Sequence, residues 1–455
     1  MSRATRPLIA AMLAMTLVAA ACSGDDDDTS SADAATAASS GPDATTAAAS
    51  AVDYAAIGLW DDGPCNKDLA PLKIGLTTLF ESPVLSLGDH AKALEASADA
   101  FNARGGANGA CIDVTTCDDG GNLDQAVGCV RTFDDAGVVA TVNDQTTAGL
   151  AEVSAAMIDA GISRIGSNVA PEDWAAPNMY PLDASGTGSV FVLPQALIDN
   201  GVEKIGVLRP DLADASALIG LLRGVYEGKA ELPADIVVTA GTTDYSQFVL
   251  GAAQQGADGV ELALGEQEAV QVVRAAEQLD SDLTIGATLA AFPHAQIAEL
   301  GDMAETMVFL WSYPPGTAEL PVYDAMRADL AASGEEELQP ENLSATALRS
   351  WIGLYGLLKI IRDAGTTDFS RASISALLNN AKDVPMLGIF GDENWTPALD
   401  HPGAFKRAGM NTWGVYKWDP EAEAPGDLQG NFVQTSTLDF DEILCGSPFG
   451  APKPC

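Results

Sequence analysis

The segment Gln145-Thr146-Thr147-Ala148-Gly149 sets two threonine hydroxyls just before an apolar run with helical spacing. The first turn of a helix leaves backbone N–H groups unpaired and carries the positive end of the helix dipole. Hydroxyls and free amides together make an anion site. A plain helix cap is the alternative use of the same threonines. Ser167 and Asn168 stand in a second segment of this kind, running from Gly166 to Pro171, where they offer polar contacts or set a turn. Asp211 and Glu266 fall at two further junctions and could receive a cation. Phe80, Phe292, Trp311 and Tyr313 could wall a pocket, because binding sites are mostly apolar with a few polar groups. Core packing is the other use of each aromatic. This is the chemistry of noncovalent recognition.

Reaction chemistry is poorly represented. The sequence has no G-x-S-x-G elbow, no Walker loop and no G-x-G-x-x-G after a strand. The nearest glycine cluster, Gly186-Thr187-Gly188-Ser189, reads as the opening of a helix that crosses between lobes. His90, His294 and His401 are far apart in sequence, and no C-x-x-C pair exists, so no metal and no cofactor are expected. A pair of catalytic carboxylates stays open in a chain with 64 acids, which keeps a secreted hydrolase as the enzymatic alternative. The expectation is a binding protein, not an enzyme.

The elements that must position these residues alternate. Strands are predicted over 73–79, 112–116, 138–142 and 162–165, with helices over 89–102, 122–136 and 149–160 between them. Gly137 is a good helix stop. The rhythm then repeats. Helices over 187–200, 213–227, 245–255 and 266–279 alternate with strands over 204–208, 235–239, 259–263 and 283–287. Repeated βα units imply parallel sheets with helices on both faces and right-handed crossovers. Helices follow over 320–332, 345–364 and 371–380, and residues 395–418 suggest irregular structure with a few strands. The fold class is α/β, with two Rossmann-like lobes of parallel sheet joined by a hinge. Lobe 1 is expected over 69–187 and lobe 2 over 188–312, with a return to lobe 1 over 313–390. Residues 391–455 complete lobe 2 and end in a disulfide-closed tail. Ligand loops lie beyond the strands' carboxyl ends, over 78–87, 143–148, 166–170, 209–214, 265–267 and 288–292.

The amino end carries a different message. Arg3 and Arg6 precede an apolar run of about 14 residues, Leu8 to Ala21, where a membrane-spanning helix needs roughly 20. Residues 1–21 therefore read as an export signal. Small residues followed directly by Cys22 resemble a bacterial lipoprotein signal, which implies lipid on Cys22 and a membrane anchor; an ordinary signal peptide is the alternative. Residues 22–68 are expected to be a flexible tether, since the stretch after Cys22 is rich in Ala, Ser, Thr and Asp. A net charge of −41 repels nucleic acid and anionic lipid. Of seven cysteines, Cys22 leaves six, an even set that argues for disulfides in an exported chain. Many pairings are possible; Cys65–Cys111, Cys117–Cys129 and Cys445–Cys455 are favoured, the second joining a strand end to the next helix.

Several segments, taken in order, resemble the branched-chain amino-acid-binding group of type I periplasmic binding proteins. They are Ser82 to Asp89 after the first strand, Phe101-Asn102-Ala103-Arg104-Gly105-Gly106, the strand ending at Cys117-Asp118-Asp119, and Gln125-Ala126 with Cys129. Thr243 to Phe248 is similar to that family's second-lobe loop and helix. The resemblance implies a solute-binding lipoprotein of an ABC importer that traps an amino acid, amide or related solute by hinge closure. It implies a monomer that delivers to ABC permease subunits, at the outer face of a membrane. A ligand-sensing receptor of the same fold is the alternative. The resemblance puts a ligand carboxylate on Thr147. The family's carboxylate in the last second-lobe loop has no counterpart over 286–292, its second-lobe tyrosines are missing, and Leu87 replaces an aromatic in the opening loop. Thr147→Ala is expected to weaken solute binding while the free protein's melting temperature stays within a few degrees; a large loss of free-protein stability would assign Thr147 to capping alone.

Overall fold

The computed structural model describes residues 52–80, 86–146, 148–167, 173–211, 213–239, 241–398, 407, 409–445 and 447. Five short strands form the first sheet: β1 (Leu72–Thr78), β2 (Ile112–Asp118), β3 (Ala140–Val142), β4 (Ser163–Ile165) and β5 (Met179–Tyr180). Helices α1 (Gly88–Ala103), α2 (Leu123–Ala136) and α3 (Leu150–Ala160) connect the first four. The order is β2-β1-β3-β4-β5, and every pairing is parallel. β1 is buried almost throughout, as a parallel strand covered by helices on both faces must be. Gly75 within it lets α2 come close, since a Cβ there would meet the Phe133 ring at 3.1 Å. Asn122 caps α2 by accepting from the Gln125 N–H at 2.9 Å, and Gly137 ends it at φ 77°, the left-handed conformation that favours glycine.

Helix α4 (Ser185–Asp199) carries the chain to the second lobe. There β6 (Lys204–Pro210), α5 (Ala213–Tyr226), β7 (Glu231–Val238), α6 (Ser246–Gln254), β8 (Gly259–Leu262), α7 (Glu266–Gln278) and β9 (Thr284–Thr288) follow the same winding. Two short helices, α8 (His294–Glu299) and α9 (Asp302–Thr306), lead to β10 (Val308–Trp311). The chain returns to lobe 1 as α10 (Pro321–Ala331), α11 (Ala345–Ala364) and α12 (Arg371–Asn380), packed against α1 and β4. Ser344 caps α11 by accepting from the Ala347 N–H at 2.9 Å, and this helix is buried along nearly its whole length. The last elements are β11 (Thr412–Glu423), β12 (Gln429–Asp439) and α13 (Phe440–Leu444). The second sheet runs β12-β11-β10-β9-β8-β6-β7, parallel except for the antiparallel additions of β11 and β12.

Residues 395–418 suggest irregular structure with a few strands; from Thr412 the chain forms a long hairpin that widens the second sheet. Trp413, Val415, Tyr416 and Trp418 are buried along β11, whose register shifts between Val415 and Tyr416. The tether does not extend to residue 68. Leu59 is buried, and Trp60 stacks on Phe101 and Tyr355 with ring centroids at 5.4 and 5.9 Å. Cys65 is bonded to Cys111, just before β2. Residues 52–68 are thus sewn to lobe 1. Cys117 and Cys129 are also joined. Cys445 is disulfide-bonded, while Cys455, its expected partner, lies outside the described residues, as does Cys22.

One buried carboxylate holds this side of lobe 1 together. Asp329 on α10 takes a bidentate pair from Arg104 at 2.7 and 2.6 Å, the Trp351 indole N–H at 2.8 Å and the Tyr54 hydroxyl at 2.9 Å. Four donor groups, from three separate stretches of chain, replace the water the carboxylate loses. Asp329→Ala strands the Arg104 guanidinium without a countercharge. A loss of about 3–5 kcal/mol is expected in denaturant unfolding; a loss below about 1 kcal/mol would place Arg104 in contact with water.

Candidate functional site

The carboxyl ends of β1, β2, β3, β6, β8, β9 and β10 all open on one cleft between the lobes, with a volume of about 1290 Å³. Open α/β sheets bind ligands in such a crevice, beyond the carboxyl ends of their strands. Lobe 1 supplies Phe80, Leu87, Asp89, Lys92, Thr116 and Gln145. Lobe 2 supplies Pro210, residues 261–267, Thr288, Gln296 and Trp311. The floor comes from the start of α4 with Ser189 and from the start of α11 with Ser344, Thr346 and Arg349.

The expected site residues divide into three groups. Phe80, Gln145 and Glu266 line the cleft, as does Trp311. Thr147 and Asn168 lie outside the described residues. The others are placed elsewhere. Phe292 is buried against Phe309, and Tyr313 is buried with its hydroxyl donating to the Ala345 carbonyl at 2.6 Å, so both belong to the core. Asp211 is exposed and outside the lining. Thr146 is buried behind Gln145 and does not line the cleft. Ser167 is fully buried outside the lining, and its hydroxyl donates to Asp144. Asp144 also accepts from Thr141 at 2.6 Å and from Arg164 at 3.0 and 2.9 Å, while Arg164 reaches Asp173 at 3.0 Å. This buried network braces the loop after β3. Asn143, at φ 57°, ties the loop to α11 by donating to the Thr346 carbonyl at 3.0 Å and the Ser350 hydroxyl at 2.8 Å.

Among the described lining residues, charge is strongly unbalanced. The acids are Asp89, Glu95, Glu261, Glu266, Glu336 and Glu337, against Lys92 and Arg349. Both cations are spent on protein carboxylates. Lys92 pairs with Glu335 at 2.7 Å and Glu337 at 2.8 Å. Arg349 makes a bidentate pair with Asp183 at 2.6 and 2.8 Å, fully buried. The acids facing them are less well served. Glu261, near the end of β8, is 1% exposed, and its Oε2 has no hydrogen-bond partner. Burial pushes its carboxyl well above the usual range. Glu266 sits in the first turn of α7, where the helix dipole favours an anion, and the Gln296 amide donates to it. Burial, and then Asp89 from the opposite lobe, nevertheless push its carboxyl up to about 7. Asp89 accepts from the Ser344 hydroxyl at 2.7 Å. Its neighbour His90 is fully buried, and burial lowers the imidazole's pKa, so it adds no positive charge near neutral pH.

Sequence reasoning missed Glu261, Arg349 and Asp89. The available signal for Glu261 was an acid inside a short apolar strand of the kind a parallel sheet buries on both faces.

An acid with a raised pKa in the folded state adds stability below its unfolded value, and this is lost as pH rises through the folded value. For Glu266 the window runs from the usual carboxylate range up to about 7. Glu266→Gln lacks this dependence. From pH 5 to pH 8 the melting temperature of the variant is expected to gain roughly 1–3 °C on that of the parent chain. A difference that stays constant across this window would mean that Glu266 is solvated and remote from Asp89.

Among curated proteins compared by sequence, none matches the chain significantly. Solved structures do. A fatty acid ABC transporter substrate-binding protein from Thermomonospora curvata has a TM-score of 0.67 and 17% identity, covering 86% of this chain and 97% of its own. An ABC transporter solute-binding protein from R. palustris in complex with 4-hydroxybenzoate has a TM-score of 0.64 and 13% identity, covering 81% and 97%. A possible leucine/isoleucine/valine-binding protein from Rhodopirellula baltica has a TM-score of 0.62 and 18% identity, covering 83% and 99%. At these identities the likeness is one of fold. The periplasmic binding protein family profile matches residues 71–419, which takes in both sheets and the cleft between them. This chain belongs to the periplasmic binding protein family, in its type I, leucine/isoleucine/valine-binding-like form.

Proposed function

We propose that the chain is the solute-binding component of an ABC importer, taking up a small polar solute such as an amino acid, an amide or a related compound. The observation that carries this reading is the cleft itself. Strand ends from two separate sheets meet across about 1290 Å³, and groups of both lobes face the same space. A solute held there touches both lobes only when they are closed, so binding shifts an open–closed equilibrium. The fold neighbours support the role and leave the solute open: one is a fatty acid ABC transporter substrate-binding protein and another was solved with 4-hydroxybenzoate.

In this reading the protein acts as a monomer outside the cytoplasm, held at the membrane by lipid on Cys22, and hands its solute to permease subunits. The packing of residues 52–68 onto lobe 1 shortens the tether to the stretch between Cys22 and about residue 51.

The reading has a direct test. A strain lacking this protein is expected to leave at least one solute unconsumed in a complex medium, with uptake restored by the intact gene. The purified protein should bind that solute stoichiometrically and return it unchanged. Turnover of the solute would instead identify a hydrolase, and unchanged uptake of every solute would remove the importer role.

A further inference from the structure

Glu261 is the oddity of the cleft. An isolated carboxylate is costly to bury unless a countercharge and hydrogen bonds replace its lost water. Here no cationic side chain pairs with it, and its Oε2 is unpartnered. The Tyr226 hydroxyl, within electrostatic reach of Glu261, is committed to the Phe191 carbonyl at 2.7 Å. Yet Glu261 lines the cleft, on the same short stretch of chain as Glu266. Asp89 faces Glu266 from the other lobe, and two like charges on opposing lobes resist closure of an empty cleft.

A solute with an anionic head finds no unpaired cation among the described lining residues, since Lys92 and Arg349 are both held by protein carboxylates. A metal ion is not suited either. Among the described residues, no group of three or more His, Cys, Asp or Glu is placed to hold one. What fits is an organic cation, which brings its own N–H donors and the missing positive charge. The apolar lining groups Phe80, Leu264 and Trp311 suit the carbon frame of such a solute.

We infer that the solute carries a cationic nitrogen, held by Glu261 and Glu266 of lobe 2 with Asp89 closing over it from lobe 1. This rests on the solute-binding reading above and adds its chemical class. The nitrogen then does two things. It supplies the countercharge that Glu261 lacks, and it turns the repulsion between Asp89 and Glu266 into attraction through a shared cation. Closure is thereby coupled to the charge of the solute.

The test uses the full folded domain and matched pairs that differ only in the head group: benzylamine against benzoate and 1-aminohexane against hexanoate, with 1,4-diaminobutane and lysine alongside. Thermal shift and calorimetry are the readouts, because a ligand of the folded state raises apparent stability by mass action. At least one amine is expected to bind, with neither carboxylate doing so. Glu261→Gln and Glu266→Gln are each expected to weaken that amine by about 10- to 100-fold, the size of a charge-assisted contact. Glu261→Gln should leave the free protein's melting temperature unchanged or higher, since it removes an unpaired buried acid. Binding of a carboxylate with none of an amine overturns the inference and leaves the solute-binding reading standing. Silence across the panel also overturns it, and the uptake experiment then decides separately whether the importer reading survives. A Glu261→Gln variant that melts lower yet keeps its amine affinity would make Glu261 a structural acid and end the assignment.

Discussion

The two lobes depend on one buried ion pair. Asp183 lies just after β5, where the chain first leaves lobe 1, and Arg349 projects from α11 onto it with two parallel hydrogen bonds. The Ser312 hydroxyl, from the second crossing, donates to the same carboxylate. The third crossing is pinned alongside: the Met410 N–H donates to the Leu182 carbonyl at 2.9 Å, and Asp183 and Met410 form a parallel bridge. Gly409 must be glycine for this approach. A Cβ there would stand 2.6 Å from the Asp183 backbone nitrogen, and φ is +75°. All three crossings of the hinge therefore meet around Asp183, whose carboxylate is paired with Arg349. Breaking the pair would leave an uncompensated charge in the interior, which is worse than never having had one.

That pair also sets the character of the cleft. Arg349 forms part of the floor, but Asp183 consumes both of its outward-facing nitrogens. A positive patch at the hinge is thus cancelled from behind. The balance passes to the acids of the walls, and Lys92, the other cation among the described lining residues, is occupied at the rim by Glu335 and Glu337. Rigidity follows the same division. Lobe 1 is braced by Asp329, by two disulfides and by the Asp144–Arg164–Asp173 network under its binding loops. Bodies so well braced can move about a hinge without deforming, as closure requires.

The sequence made the alternation of strand and helix legible because each βα unit carries its own periodicity. Residues 345–364 were legible as one helix because Ser344 and Gly365 bracket an unbroken helical pattern. Two parts were hidden for physical reasons. Residues 52–68 hold Val52, Tyr54, Ile57, Leu59 and Trp60 with neither a helical nor a strand period, and what makes them ordered is a distant partner: Trp60 has Phe101 and Tyr355, and Cys65 has Cys111. The β11–β12 hairpin gains its order from pairing with β10, a contact across about a hundred residues that no local window contains. The site was legible in its loops and less so in its side chains. Glu266 was visible at a helix start, whereas Ser167 and Phe292 look equally suited to a ligand or to a core until their partners are known.

Glu261 shows why an awkward residue is informative. A chain selected only for stability would place an apolar or amide side chain near the end of β8, where the Glu261 Oε2 has no hydrogen-bond partner. The cost of keeping it is bearable because the carboxyl can hold its proton while the cleft is empty. A cation in the cleft favours the ionised carboxylate, and the low polarity of the site strengthens the attraction. Specificity then follows from what is left unpaired. A neutral isostere leaves Glu261 without a countercharge and Glu266 opposed to Asp89, so closure gains little. A carboxylate adds a third like charge where Arg349 has nothing left to give. The same desolvation that penalises the empty protein is what would let a single charge decide which solute closes it.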